Sequence, residues 1–279
     1  MSASAISGQA DHAIRQVAPW VEKLARLGFV AKAVLYMTIG VLASAAALRL
    51  GGTPASGQRG AMGTLVDAPL GRVLLAVIAA GLFGYAAWRF IDAIMDPEGN
   101  GREAKGIAKR IRSAAVGVLY AALGASAVKI ALGHHEAARD GTQSAHWTGR
   151  ALATTGGKVA LIGIAGAFVA YGIHQLYCAW TAKLDRRLQL GRMSSAARRW
   201  LIGASRFGIA ARGVVFGTTG ILVWRAVQQH DPQKARGLKA SMLELFELGR
   251  IPFAIISVGL VAYGVYQLIE ARYRNIAVA

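Results

Sequence analysis

Apolar and polar positions alternate along the chain in long blocks. Residues 27–48, 73–91, 113–128, 159–182, 207–224 and 251–269 are almost continuously apolar, and polar segments divide them. A helix that crosses a bilayer needs about 20 mostly apolar residues. Five of the six stretches approach or exceed that length, and the third is short. The pattern predicts six membrane-spanning helices.

The spans repeat. The odd-numbered ones open with ARLGFVAKAVLYMTIG (25–40), KRIRSAAVGVLYAALG (109–124) and SRFGIAARGVVFGTTG (205–220). These align Arg26 with Arg110 and Arg206, Tyr36 with Tyr120 and Phe216, and Gly40 with Gly124 and Gly220. The even-numbered ones occupy 71–93, 157–179 and 249–271 and align without a gap. There Gly71, Gly157 and Gly249 coincide, as do Tyr85, Tyr171 and Tyr263. Self-similarity at this spacing defines one supersecondary unit written three times. Two spans per unit return the chain to its starting side, so all three units share one orientation. The expected fold is an all-α membrane protein. Its six transmembrane helices form three parallel two-helix repeats in a pseudo-threefold bundle, with the axis along the membrane normal. The expected segments are an amphipathic N-terminal stretch (1–24), repeat 1 (25–96), a cytoplasmic linker (97–108), repeat 2 (109–183), a basic interfacial linker (184–204), repeat 3 (205–274) and a tail (275–279).

Composition agrees with a bilayer. Of 279 residues 54% are hydrophobic and 16% charged, with a mean hydropathy of +0.40; soluble domains carry roughly 25% charge. The charge is lopsided, with 32 Lys+Arg against 14 Asp+Glu. Such an excess suits nucleic acid or a membrane protein's cytoplasmic loops. No recognition module accompanies it, so nucleic acid is not an expected partner. Assigned to the nearer side, 20 basic residues fall with the N-terminus and 12 on the opposite side. Both termini of this multi-pass protein are therefore expected in the cytoplasm. Residues 1–26 contain Asp11 and Glu22 and no apolar core of a secretory signal. The single cysteine, Cys178, excludes an intrachain disulfide.

The pattern Arg26-x-Gly28, Lys32, Tyr36 and Gly40, followed by Gly71-Arg72, Gly81, Tyr85 and Trp88-Arg89, resembles a bacterial membrane family, domain of unknown function 1206. The resemblance covers about residues 24–274. It implies six spans and a cytoplasmic membrane, and no activity. Repeat 2 departs from the pattern: Arg112 stands at the position of Gly28, Val116 at that of Lys32 and Cys178 at that of Asp92.

The chemistry-bearing candidates are ionisable groups inside the spans, which in membranes turn inward and find partners. Lys32 and Arg89 lie about one turn inside, and the fifth span must include Arg212 to reach a crossing length. Aligned positions carry Lys32, Val116 and Arg212 on odd spans, against Asp92, Cys178 and Glu270 on even ones. Base and acid are kept or lost together. This covariation predicts ion pairs Lys32–Asp92 and Arg212–Glu270, with a Val116–Cys178 contact in repeat 2; the rival is pairing within one helix, Arg89–Asp92 or Glu270–Arg274. Lys32, Arg89, Arg212, Gln175 and Gln267 could line a cytoplasm-facing vestibule for an anion or a lipid headgroup; the alternative is snorkelling with local ion-pair locks.

Small residues seven apart, such as Gly117/Gly124 and Gly213/Gly220, suit close helix packing. His134, His135, Glu136, Asp140 and His146 fit no standard metal spacing, so no metal is expected. Apolar runs at 61–70, 147–156 and 241–249 read as interfacial half-helices or re-entrant segments. No catalytic or cofactor motif is present, so neither catalysis nor a cofactor is expected. Two readings follow. One is a non-enzymatic scaffold, accessory or partner-binding subunit, in contact with anionic headgroups and with room for a membrane-protein partner. The other is a channel or transporter for a small ion or solute along the threefold axis.

Overall fold

The computed structural model describes residues 3–48, 58–95, 103–134, 137, 142–181, 195–235 and 237–273. The side chains of the expected N-terminal amphipathic segment other than Lys23, most of the basic linker 184–204, and His135, Glu136 and Asp140 lie outside the described residues.

Nine α-helices occupy the described residues: α1 (Ala3–Ala47), α2 (Gln58–Val66), α3 (Gly71–Met95), α4 (Ala104–Ala131), α5 (Thr142–Leu152), α6 (Thr155–Thr181), α7 (Ser195–Gln228), α8 (Leu238–Glu247) and α9 (Arg250–Tyr273). Six of them, α1, α3, α4, α6, α7 and α9, are long and apolar enough to cross a membrane. A backbone in hydrocarbon must satisfy its own hydrogen bonds, which a helix does internally. The protein is an all-α, multi-pass membrane protein of three two-helix repeats.

Short helices precede each even span, where the apolar runs predicted half-helices. Helix α2 packs on α1, α3 and α4, and α8 packs on α7 and α9. Helix α5 packs on α6 and on the 3-10 turn Pro232–Ala235. The aligned glycines that open the even spans have a steric reason. A Cβ on Gly71 would stand 2.2 Å from Leu65 O, and one on Gly157 would stand 2.2 Å from Ala151 O. At the third such position Gly249 instead adopts φ +128°, which L side chains rarely take.

The spans pack in the order α4–α3–α1–α9–α7–α6. Three of these seams join an even span to the odd span of the next repeat: α3 with α4, α6 with α7, and α9 with α1. Glycines bring the backbones together there. A Cβ on Gly40 would meet Ser257 O at 2.7 Å, and one on Gly220 would meet Val169 at 2.7 Å. Two more seams close repeats upon themselves, α1 with α3 and α7 with α9.

The sixth seam is open. Helices α4 and α6, the two spans of repeat 2, are not packed neighbours. Only 17% of the α6 span is buried inside the protein, against 50% for α1, α3 and α7. The cause is visible in the residues. In repeat 1 a Cβ on Gly28 would stand 2.3 Å from Tyr85 Cβ, and one on Gly81 2.7 Å from Leu27 O. In repeat 3 a Cβ on Gly208 would stand 2.4 Å from Tyr263 N, and one on Gly259 2.3 Å from Ala211 Cβ. Repeat 2 has Arg112 and Ala167 at these two positions. A guanidinium cannot occupy a gap that excludes a methyl group. The surrounding exposures follow: Leu35 and Val215 are 1% and 2% exposed, while the aligned Leu119 is 61% exposed.

Candidate functional site

The six aligned aromatics gather between the spans as three ring pairs, one at each seam between repeats. Tyr36 meets Tyr263 (4.8 Å, 76°), Tyr85 meets Tyr120 (4.8 Å, 75°) and Tyr171 meets Phe216 (5.1 Å, 70°). All are edge-to-face, the arrangement that sets a ring's positive edge on its neighbour's negative face.

Two cations sit among these rings. Lys32 is 4% exposed, and its Nζ lies 3.8 Å from the Tyr85 centroid, 4.2 Å from Phe29 and 5.7 Å from Tyr120. The Arg212 guanidinium donates to Tyr36 Oη at 3.3 Å and to Tyr171 Oη at 3.0 Å. It also stands 4.8 Å from the Phe216 and Tyr263 centroids. Ring faces attract cations most strongly where water is absent. Helix α1 supplies Lys32 and α7 supplies Arg212. Repeat 2 offers Val116 there, which packs against the cluster of Phe29, Tyr85 and Trp88.

The expected ion pairs are corrected by this geometry. Asp92 pairs with Arg89 on its own helix at 3.3 Å and accepts a 2.5 Å hydrogen bond from Ser113 Oγ of α4. Lys32 faces rings instead of Asp92. The depth of the two residues is matched, but spacing i, i+3 already turns Arg89 toward Asp92 on one helix face. Arg89 also donates to Tyr85 Oη from Nε at 2.9 Å and from Nη2 at 2.8 Å. Arg212 is held by phenol oxygens and rings, and forms no ion pair with Glu270 among the described residues. The Val116–Cys178 contact is also corrected, because α4 and α6 stand apart; Cys178 Sγ lies 3.4 Å from His174 Nε2.

The two glutamines separate. Gln267 is buried and donates from Nε2 to Tyr263 Oη at 2.7 Å, while its Oε1 has no partner. Gln175 is half-buried on α6 and lies in the α6–α7 seam, its Cβ 3.1 Å from where a Cβ on Gly213 would be. Lys32, Arg89, Asp92, Arg212 and Gln267 thus join aromatic networks inside the bundle. Among the described residues no group of three or more His, Cys, Asp or Glu comes together as a metal site would require.

Sequence reasoning missed the work of the aligned arginines. Arg26 Nη1 donates to Ala271 O at 2.6 Å and to Arg272 O at 3.1 Å, at the end of α9. Arg110 donates in the same way to Ala93 O at 2.7 Å and Ile94 O at 2.8 Å, at the end of α3. A cation there satisfies terminal carbonyls and the negative end of the helix dipole. The signal was the alignment itself, because residues 93 and 271 are aligned partners. Arg206, the third of the set, is exposed and has no such bond among the described residues.

Comparison with known proteins follows the same repeats. The chain is 28% identical over 264 residues to "Uncharacterized protein YxxB" of Bacillus subtilis (strain 168), covering 94% of each chain. No solved structure matches. The family model described as "Domain of Unknown Function (DUF1206)" matches residues 27–96, 111–182 and 207–274. With three matches that together span most of its length, the chain belongs to the DUF1206 family.

Proposed function

We propose that the protein is a non-enzymatic membrane scaffold or accessory subunit, with its repeats set about an axis along the membrane normal. The observation that carries this reading is the treatment of the buried cations. Lys32 and Arg212 are enclosed by rings and phenol oxygens. Helices so close at their glycines that an added Cβ would stand 2.3–2.8 Å from the neighbour have little freedom to open and close a path. Anionic headgroups on the side of Arg26, Arg110 and Arg206 are its expected surroundings. Both termini face the cytoplasm in this reading, which reporter fusions at each terminus test.

The transport reading retains one supporting observation, the partnerless Oε1 of buried Gln267 beside Tyr263. Flux decides between the two. Protein in liposomes is expected to pass chloride, nitrate and phosphate no faster than empty liposomes. A protein-dependent anion flux that Arg212→Met abolishes would establish the transport reading instead.

A further inference from the structure

We infer that the open seam of repeat 2 is a lateral slot that holds one anionic phospholipid, with an acyl chain between α4 and α6 and its phosphate on Arg112. The inference rests on the scaffold reading only in its lipid contacts, and it stands or falls by a different measurement from ion flux.

The slot is defined by comparison within the molecule. Ile111, Ala115 and Leu119 of α4 and Ile164 and Ala167 of α6 are all exposed. Their aligned residues in repeat 1, other than half-buried Leu27, are buried. In repeat 3 Ala211, Val215 and Gly259 are buried, Ile256 is half-buried and Phe207 is exposed. The middle of these walls is thus the face that the other two repeats bury against a partner helix. The two walls are apolar and are not packed against each other, which suits an acyl chain.

Charge names the class of lipid. Arg112 is exposed and has no partner among the described residues. It stands at the cytoplasmic end of the slot in this reading, two residues after Arg110, which fastens α4 to the end of α3. Tyr177 and Trp180 of α6, 64% and 86% exposed, lie at the same end, where aromatic side chains mark the interface. An unpaired guanidinium at that depth binds phosphate oxygens through two parallel donors. Behind the slot, Lys32 and Arg212 reach α4 and α6 through Tyr120 and Tyr171, adding positive potential. A second copy docked slot to slot about an axis along the membrane normal would set the two Arg112 side chains against each other. A phospholipid meets the same site with opposite charge.

Native mass spectrometry of the full chain, released from nanodiscs of equimolar phosphatidylglycerol and phosphatidylcholine, tests this. One phosphatidylglycerol is expected to stay on each chain at activation that strips phosphatidylcholine. Arg112→Gln is expected to lower that preference about tenfold, and Arg199→Gln, an exposed arginine off the slot, to leave it unchanged. Leu119→Trp fills the slot and should remove the adduct, while helicity by circular dichroism and a monodisperse elution profile verify its fold. The inference is overturned if no lipid is retained, if both lipids are retained alike, if Arg112→Gln retains phosphatidylglycerol as well as the parent chain, or if the released species is a dimer.

Discussion

Repeats 1 and 3 close upon themselves, and repeat 2 does not. The three units share their arginine, their aromatics and their glycine at position 40, 124 or 220. Among their differences, the one at the seam within each repeat is that Gly28 and Gly81, or Gly208 and Gly259, become Arg112 and Ala167. In lipid there is no hydrophobic drive to press two apolar helices together, so van der Waals contact decides whether they associate. Loss of that close approach is therefore enough to leave a seam open. The molecule retains its other five seams and leaves apolar residues of α4 and α6 exposed at the sixth.

The largest effect should come from giving repeat 3 the defect of repeat 2. Gly208 has the backbone of Tyr263 within 2.6 Å of any added Cβ. Backbone cannot yield as a flexible side chain would. Gly208→Leu is expected to destabilise by about 3 kcal/mol or more, read as loss of folded protein in a thermal unfolding series in detergent. The mirror change, Arg112→Gly, is expected to leave stability unchanged or raise it. If the two changes were equally harmful, the glycine contact would not be what separates the repeats.

The two buried cations offer the next effect. Arg212 holds two phenol oxygens and two further rings, so Arg212→Met leaves buried hydroxyls short of a partner. About 2 kcal/mol of stability should be lost. Lys32 rests on ring faces with no carboxylate paired to it among the described residues. Lys32→Met gives up that attraction but also the cost of burying an ammonium, and the expected change is within about 1 kcal/mol. The ratio of the two effects, measured in one detergent, shows whether the fork of Arg212 does more than supply charge.

Much of this was legible in the residues. Span count, the short helices before the even spans and the exchange at Gly28 all follow from aligning three stretches. Helix depth was legible too, which is why Lys32 and Asp92 were matched in level. The side each residue faces was not. Asp92 has Arg89 three residues earlier on its own helix and Ser113 across the α3–α4 seam. Which seam a side chain enters depends on helix rotation, and rotation is set by glycine contacts between repeats that no single repeat encodes. For the same reason the packing order could not be read: the tightest seams join an even span to the following repeat, while the sequence groups the spans the other way.

The smallest effects concern the arginines at the start of the odd spans. Arg26 and Arg110 each fasten a neighbour's terminal carbonyls, on α9 and α3. Arg26→Gln and Arg110→Gln are each expected to cost about 1 kcal/mol, the usual value for a partly exposed charge at a helix C-terminus. Arg206 occupies the same aligned position but is exposed and forms no such bond among the described residues. Its replacement by glutamine should shift stability by less than about 0.5 kcal/mol. Alignment alone would predict three equal losses. Two losses and one null, in unfolding measured side by side, would show that an aligned residue is used only where its seam brings a carbonyl within reach. A loss at Arg206 equal to the other two would mean that the arginines act on the membrane surface as charges, without need of the caps.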